Sequence, residues 1–448
     1  MRATASPATW QNWARTETAA PAVCVSPRGL DELTATVQAA GRAGQRLRVV
    51  GGGHSFTGAA VTDGVLLRLD QLATVERVQP GTGPGGTTLV TVGAGIRLRE
   101  LNLALAERGL ALPNLGDIDH QSLAGAISTG THGTGARLRG LAGQVAGLRV
   151  VTAAGDVLDC SPTQHAEVFE AARLGLGSVG VLAAVTLATV PAFSLDAREE
   201  PWPLERVLEE LPGPDGLVES NDHFEFYWFP HTRRTLTKRN NRLATVGPPL
   251  GRARRWFDDE LLANGVFEAL NRFTTLAPRT SGAVNELAAR AVSARHYGAP
   301  SYDVFVSPRR VRFREMEWAV PRAAVAQVLT ELDAWIAASG EHVSFPVEVR
   351  FAAADDVWLS TAYQRDSAYV AVHAYARRPY LRYFTAAERI AAAAGGRPHW
   401  GKIHWLDAER LAALYPRFED FRAVRATQDP GGMFANEYTD RVFGRVRT

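Results

Sequence analysis

Three consecutive glycines, Gly51-Gly52-Gly53, follow the apolar run RLRVV and deliver the chain to a histidine, His54. Glycine has no Cβ, so such a loop turns sharply and lets the backbone approach a neighbour or a ligand closely. Two familiar phosphate loops can be tested against it. A Walker loop needs Gly-Lys-Ser/Thr after its glycines, and none follows. A Rossmann fingerprint needs G-x-G-x-x-G opening a helix; Gly51 and Gly53 fit, but AAVTDGVLL has no helical period. Taken alone, the loop reads equally well as a tight turn with an exposed histidine. A second cluster changes the balance: LGDIDHQSLAGAISTGTHGTGARLRG, from Leu115 to Gly140, is rich in glycine, serine and threonine and holds His132. A chain of that kind lies closely along an extended polar ligand, with N–H and hydroxyl groups turned to phosphate. Two such loops suit a dinucleotide too long for one to hold.

The chain has 448 residues, which favours two domains over one core. Its 49 basic and 47 acidic residues balance, so nothing points to nucleic acid or a polyanionic surface as partner. The N-terminal MRATASPATWQNWARTETAAP has no apolar run for a signal or a membrane span, and the expected location is the cytoplasm. Cys24 and Cys160 cannot form a disulfide framework, though a single bridge between them stays open. Helix and strand signals alternate up to about residue 190. Leu30, Leu33, Val37 and Ala40 mark a helix, and Leu98, Leu101, Leu105 and Leu110 a second. RLRVV, GVLLRLD, TTLVTVGAG, VAGLRVV, GDVLDC and SVGVLAAVTLATVP read as strands. After Pro191, HFEFYWFP, FREMEWAVP, FPVEVRFAA and AYVAVHAYA read as strands of an antiparallel sheet, with helices such as PRAAVAQVLTELDAWIAAS between them. Residues 231–310 show a helix at GVFEALNRF and no other strong period.

The V-G-G-G-H-S-F loop, followed by G-x-x-x-x-x-S-x-A-G-A-x-x-T-G-T-H-G-T-G from Gly116 to Gly135, resembles the vanillyl-alcohol-oxidase type of flavoprotein. Within that group the chain is similar to the aldonolactone oxidases and dehydrogenases, with the alditol oxidases as close cousins. FREMEWAVPR, FPVEVRF, RPHWGK and FANEYTDRVFG carry the likeness through the second half, from WQNWA at Trp10 to Gly444. The resemblance implies an α+β fold. Residues 1–190 would form a two-part FAD-binding domain of the PCMH type. Residues 191–448 would form a substrate domain with a large antiparallel sheet flanked by helices, its C-terminal segment returning to the flavin. The histidine matching the family's flavin-carrying residue is His54, which would be joined covalently to FAD. Val50, Gly51, Gly52, Gly53 and Ser55 would line the diphosphate, with Ser122, Gly125, Thr129, Gly130, Thr131 and His132 along the second loop and Val181 near the adenine end. Gly116, followed by Asp117, matches a position where glycine admits oxygen to the flavin and alanine hinders it.

On the substrate side, Glu348 and Arg350 stand two apart in an apolar strand and so share a face. A structural ion pair at a sheet edge fits that pattern as well as a functional pair does. The resemblance favours function, since the family carries Glu-x-Arg at the flavin–substrate face. It likewise matches His373 to an active-site histidine and Lys402, in H-W-G-K, to a lysine reaching substrate or flavin. His399 and His404 lack a carboxylate at ligand spacing, so no metal is expected. The expected activity is oxidation of a sugar lactone such as L-gulono-1,4-lactone, with oxygen or another electron acceptor. In that reading Arg350 is the fixed cation, Glu348 orients it and binds hydroxyls, and Lys402 or His373 assists proton removal. Oxidation of an open-chain polyol is the alternative, and a flavin- or sugar-binding protein without turnover a third.

Overall fold

The computed structural model describes residues 9–244 and 248–446. The helix beginning at Leu30 runs Leu30–Arg42, burying Leu33, Val37 and Ala40, as the apolar spacing requires. It leads into a parallel three-stranded sheet in which Val65–Arg68 lies between Val23–Val25 and Leu47–Val50. The glycine loop leaves the end of Leu47–Val50. A second, antiparallel sheet is built around Val181–Pro191, which pairs with both Thr88–Gly93 and Val145–Val151. Val181–Pro191 is buried along most of its length because it has a strand on each side and helices against its face. The second helix stops at Ala106, not at Leu110 as its stripe suggested. Gly109 at φ +68° turns the chain, and Leu110–Ala111 joins the sheet edge.

The chain leaves this sheet at Pro191 and enters an eight-stranded sheet at Ser194. In spatial order the strands are Arg295–Pro300, Ser194–Pro203, Arg234–Leu243, His223–Phe229, Val347–Ala352, Ser367–Tyr375, Phe313–Pro321 and Arg397–Pro398, all antiparallel. Strand alternation sorts the faces. Phe224, Phe226, Trp228, Val347, Val349, Trp318 and Val370 point to the core, beneath the helices Val325–Ser339 and Leu381–Ala393. Tyr227, Glu348, Arg350, Glu315 and Glu317 stand on the opposite face. The hard-to-read 231–310 holds the strand Arg234–Leu243, a π-helix at Trp256–Val266, and the helices Phe267–Leu276 and Ser281–Ala291. Its residues 245–247 lie outside the described residues. Cys24 and Cys160 are both free. No helix among the described residues is long and apolar enough to cross a membrane.

Three stitches fix the sheets around one cleft. Phe56 N–H donates to Gly401 O at 2.8 Å, tying the first glycine loop to H-W-G-K. Gly135 N–H donates to Phe351 O at 2.8 Å, tying the second loop to the Glu348 strand. From the C-terminal segment, Met433 O accepts from Leu47 N–H at 2.9 Å, and the Asn436 amide donates to Gly58 O and Val61 O at 2.8 Å.

Two histidines at these seams are buried and uncharged. His223 Nδ1 donates to Thr134 O at 2.9 Å, and burial pushes its pKa down to about 4. His404 Nε2 donates to the Tyr438 oxygen at 3.1 Å, and burial pushes its pKa down to about 3. In the unfolded chain both titrate near the usual value of about 6.5. The unfolded state therefore binds more protons below that value, and stability falls with pH. The melting temperature should drop progressively between about pH 6.5 and pH 4. A calorimetric series flat across that window would contradict the two burials.

Candidate active site

The first glycine loop is shaped to hold something other than protein. From Gly52 to Ser55 the backbone N–H groups donate to nothing among the described residues. Gly53 sits at φ +69°, where only glycine is at ease. A Cβ on Gly51 would lie 2.1 Å from Ser122 Oγ, and one on Gly52 would lie 2.6 Å from His120 O. The two loops are thus pressed together, and their exposed donors line a cleft walled by Val50, Gly51, Gly52, Gly53, Ser122, Gly125 and Thr129. Gly180 and Leu182 also line it, whereas Val181 between them faces away into the core.

A second cavity adjoins the first. His54, Ser55, Gln121 and Thr129 border both, so His54 sits where the two meet. Its ring stacks on Trp13, with centroids 5.8 Å apart. Burial, then the charges of His120, Lys402 and Arg97, lowers its pKa to about 4. At neutral pH His54 is an uncharged imidazole with a free lone pair, the form in which it can act as a nucleophile.

The wall of the second cavity is charged. Tyr227, Glu348 and Ala371 are register partners, and Arg350 pairs with Tyr369. Strand geometry therefore brings Glu348 and Arg350 to the cavity together, where they contact each other closely. Asp117 lies 3.4 Å from Arg350 Nη2, and Arg309 lies 3.2 Å from Glu348 Oε2 and in close contact with Asp117. Asp117, Arg350, Glu348 and Arg309 close a ring of two guanidiniums and two carboxylates, each flanked by opposite charge. Burial alone would raise the Asp117 pKa, but Arg309, Arg350 and Lys402 hold it far below the usual carboxylate range.

Lys402 stands nearby in close contact with Glu315. Burial works against its charge, but Glu315, Glu317 and Asp117 outweigh that and raise its pKa, so it is a cation. Burial opposes the charge of Glu315 too, but Lys402 and His373 bring its pKa down to about 2. His373 is one layer deeper than expected, behind Glu315 and packed on Phe313 and Phe345. Its Nδ1 faces Pro346 O at 3.1 Å, and its Nε2 lies 3.6 Å from Glu315 with no hydrogen-bond partner.

His132, Glu317 and His399 bring three potential ligand atoms within 4.8 Å of one another. His404 is not among them, being turned onto Tyr438. His132 spends Nδ1 on Gly133 O at 2.9 Å and sets Nε2 3.2 Å from Glu317, while its ring stacks on Tyr369. His399 Nδ1 accepts from Gly401 N–H at 3.0 Å. Burial works against the charge of Glu317, but His132 and then Lys402 hold its pKa well below the usual carboxylate range. Thr131 hydrogen-bonds Gln121 at 3.2 Å, and Gly130, at φ +79°, opens toward Trp400. Sequence reasoning missed Arg309, Glu315 and Glu317. The two glutamates are two apart in FREMEW, and the alternation that paired Glu348 with Arg350 would have found them. Arg309, in a loop of the unreadable region, had no such signal.

The cleft, the glycine-imposed contacts and the free N–H donors fit the diphosphate of FAD. An FAD binding domain matches residues 21–161. The fold agrees: cholesterol oxidase from Brevibacterium sterolicum superposes with a TM-score of 0.81 at 19% identity, covering 97% of this chain and 96% of that one. The molecule is thus a flavoprotein whose first part is an FAD binding domain. The D-arabinono-1,4-lactone oxidase family model matches residues 185–442, more than half of the chain, and the chain belongs to that family. It is 40% identical to the L-gulono-1,4-lactone dehydrogenase of Mycobacterium tuberculosis, over 97% of this chain and 99% of that protein. It is 36% identical to the L-gulonolactone oxidase of Bos taurus, over 97% and 98%.

Gly52 offers a direct test of the cradle. In Gly52→Ala the methyl would meet His120 O at 2.6 Å and Gln121 Cα at 3.0 Å, both on the backbone. The second loop must shift, and the purified variant should carry much less flavin per chain than the wild type while keeping its far-UV circular dichroism. Wild-type flavin content would remove the loop from the cofactor site.

Proposed function

We propose that the protein oxidises a neutral aldono-1,4-lactone such as L-gulono-1,4-lactone, with FAD held covalently through His54. The observation that carries this is the junction of the two cavities: His54 borders both, and the ring of Asp117, Arg350, Glu348 and Arg309 faces the second. Every cation on that wall is matched by a carboxylate, so the pocket suits a neutral polyhydroxy molecule rather than an anion. Bound FAD supplies the hydride acceptor. Glu348 accepts from substrate hydroxyls, and Arg350 presents a fixed positive charge to the anion that develops during reduction. Lys402, being an ammonium, donates. His373 stands behind Glu315 and is not among the residues that line the pocket, so it acts on the substrate only through Glu315. Gly116 puts no side chain into the narrow space beside Thr131 Cγ2 and His132 O, which favours oxygen as the final acceptor, and the relatives include both oxidases and a dehydrogenase. Two free cysteines suit a reducing compartment, the cytoplasm. We put the domain border at residues 190–191, at the end of the strand Val181–Pro191.

The tether is tested by acid precipitation. The flavin should stay with the wild-type polypeptide and be released from His54→Ala. Complete release from the wild type would refute the linkage.

The chemistry is tested by anaerobic stopped-flow reduction with a panel of lactones and polyols. Lactones should reduce the flavin fastest. Arg350→Ala should lower the limiting rate about a hundredfold, the value of roughly 3 kcal/mol typical of a fixed charge on a developing anion. Faster reduction by open-chain polyols would move the assignment to the alditol oxidases. A wild-type limiting rate in Arg350→Ala would make the ring structural.

A further inference from the structure

Behind Arg350 the charged face of the sheet runs on, away from the pocket, through residues that the proposed reaction does not use. Register pairing sets Arg295 beside Glu199, Glu199 beside Lys238, and Lys238 beside Glu225. Arg350 Nε then donates to Glu225 Oε2 at 3.0 Å. Five side chains of alternating charge thus form one row across five neighbouring strands, roughly 19 Å long at about 4.8 Å per strand. The contacts are close: Arg295 Nη2 to Glu199 Oε2 is 2.6 Å, and Lys238 Nζ to Glu225 Oε1 is 3.3 Å. Asp259 caps the outer end, 2.9 Å from Arg295 Nη1. No side chain in the row is more than 16% exposed.

Stability alone does not account for such a row. Buried ion pairs do no better than packed apolar residues of the same volume, and often worse. What the row does is divide the oxygens of Glu225. Oε1 faces Lys238 and, also at 3.3 Å, accepts from the Tyr227 hydroxyl, while Oε2 receives Arg350 Nε, which leaves Arg350 Nη2 to Glu348 and Asp117. Burial would lower the Lys238 pKa, but Tyr227, Glu225 and Glu199 raise it, so the charge that occupies Oε1 is permanent.

We infer that Lys238 and Glu225 are positioning residues for Arg350: by occupying one oxygen of Glu225, Lys238 keeps the guanidinium turned toward Glu348 and the pocket. The functional part of this rests on the proposed role of Arg350. Without Lys238, Oε1 keeps only the neutral Tyr227 hydroxyl, and its uncompensated charge competes with Glu348 and draws Arg350 into a two-point pair with Glu225.

The test uses the flavin-loaded Lys238→Met protein. Its crystal structure should show Arg350 paired through two nitrogens with Glu225 and withdrawn from Glu348. Its limiting rate of reduction by L-gulono-1,4-lactone should fall roughly tenfold, the scale of one displaced charged hydrogen bond. Lys238→Arg should keep the wild-type geometry and rate. Lys238→Met/Glu225→Gln should recover most of the loss, because a neutral amide no longer competes, and a merely damaged core would not be repaired that way. Arg350 unmoved in Lys238→Met, or a double variant no better than the single, overturns the inference. If Lys238→Met does not fold, Lys238→Met/Glu225→Met removes the pair outright and leaves Arg350 Nε unheld; a wild-type Arg350 position there overturns it equally. Should no lactone reduce the wild type, the proposed function fails, and the position of Arg350 in the crystals still decides this inference.

Discussion

A guanidinium as buried as that of Arg350 is tenable only when surrounded by negative charge, because losing one partner of a buried pair costs about 3–5 kcal/mol. Glu348, Glu225 and Asp117 supply that charge from three different parts of the chain. Glu348 comes from the same strand, Glu225 from the neighbouring one, and Asp117 from the loop that joins the two halves of the cleft. The requirement to neutralise one arginine therefore fixes the register of two strands and the approach of the cofactor-binding half to the sheet. Arg309 is raised well above the usual arginine pKa by Asp117 and Glu348 against the pull of burial, so the loop carrying it is tied to the same centre.

The legible parts of the fold were those with a plain apolar signal. Leu30–Arg42 has apolar residues three and four apart, Val347–Ala352 has them at every second position, and Val181–Pro191 is a nearly continuous apolar run. Arg234–Leu243 escaped because its sequence, RTLTKRNNRL, puts Lys238 on a face that is charged and yet largely covered. Alternation of apolar and polar residues fails when the polar side of a strand is itself packed. Trp256–Val266 escaped because a π-helix has neither of the two periods that the eye tests for, and Trp256 and Phe257 point to solvent.

The site was legible unevenly for a related reason. Glycine runs and a Glu-x-Arg pair are local patterns, and local patterns survive in sequence. The Glu315–Lys402 and Asp117–Arg309 contacts join residues far apart in the chain, so nothing short-range announces them. His373 shows the converse error. Sharing a face with Tyr369 placed it on the right side of the sheet, but the depth at which it sits is set by Glu315 on the adjacent strand, its register partner.

The ion ring also fixes the backbone beside the pocket. Gly116 immediately precedes Asp117, and the Asp117 carboxylate is gripped by Arg309 and Arg350. The place of Gly116 is thereby set from the substrate side of the pocket. A Cβ there would lie 3.0 Å from Thr131 Cγ2 and 3.2 Å from His132 O, so the space beside it is already narrow. A change that loosens Arg309 or Arg350 frees Asp117 and, with it, the backbone at Gly116. The backbone at Gly116 and the charged wall of the pocket are thus tied together through one carboxylate.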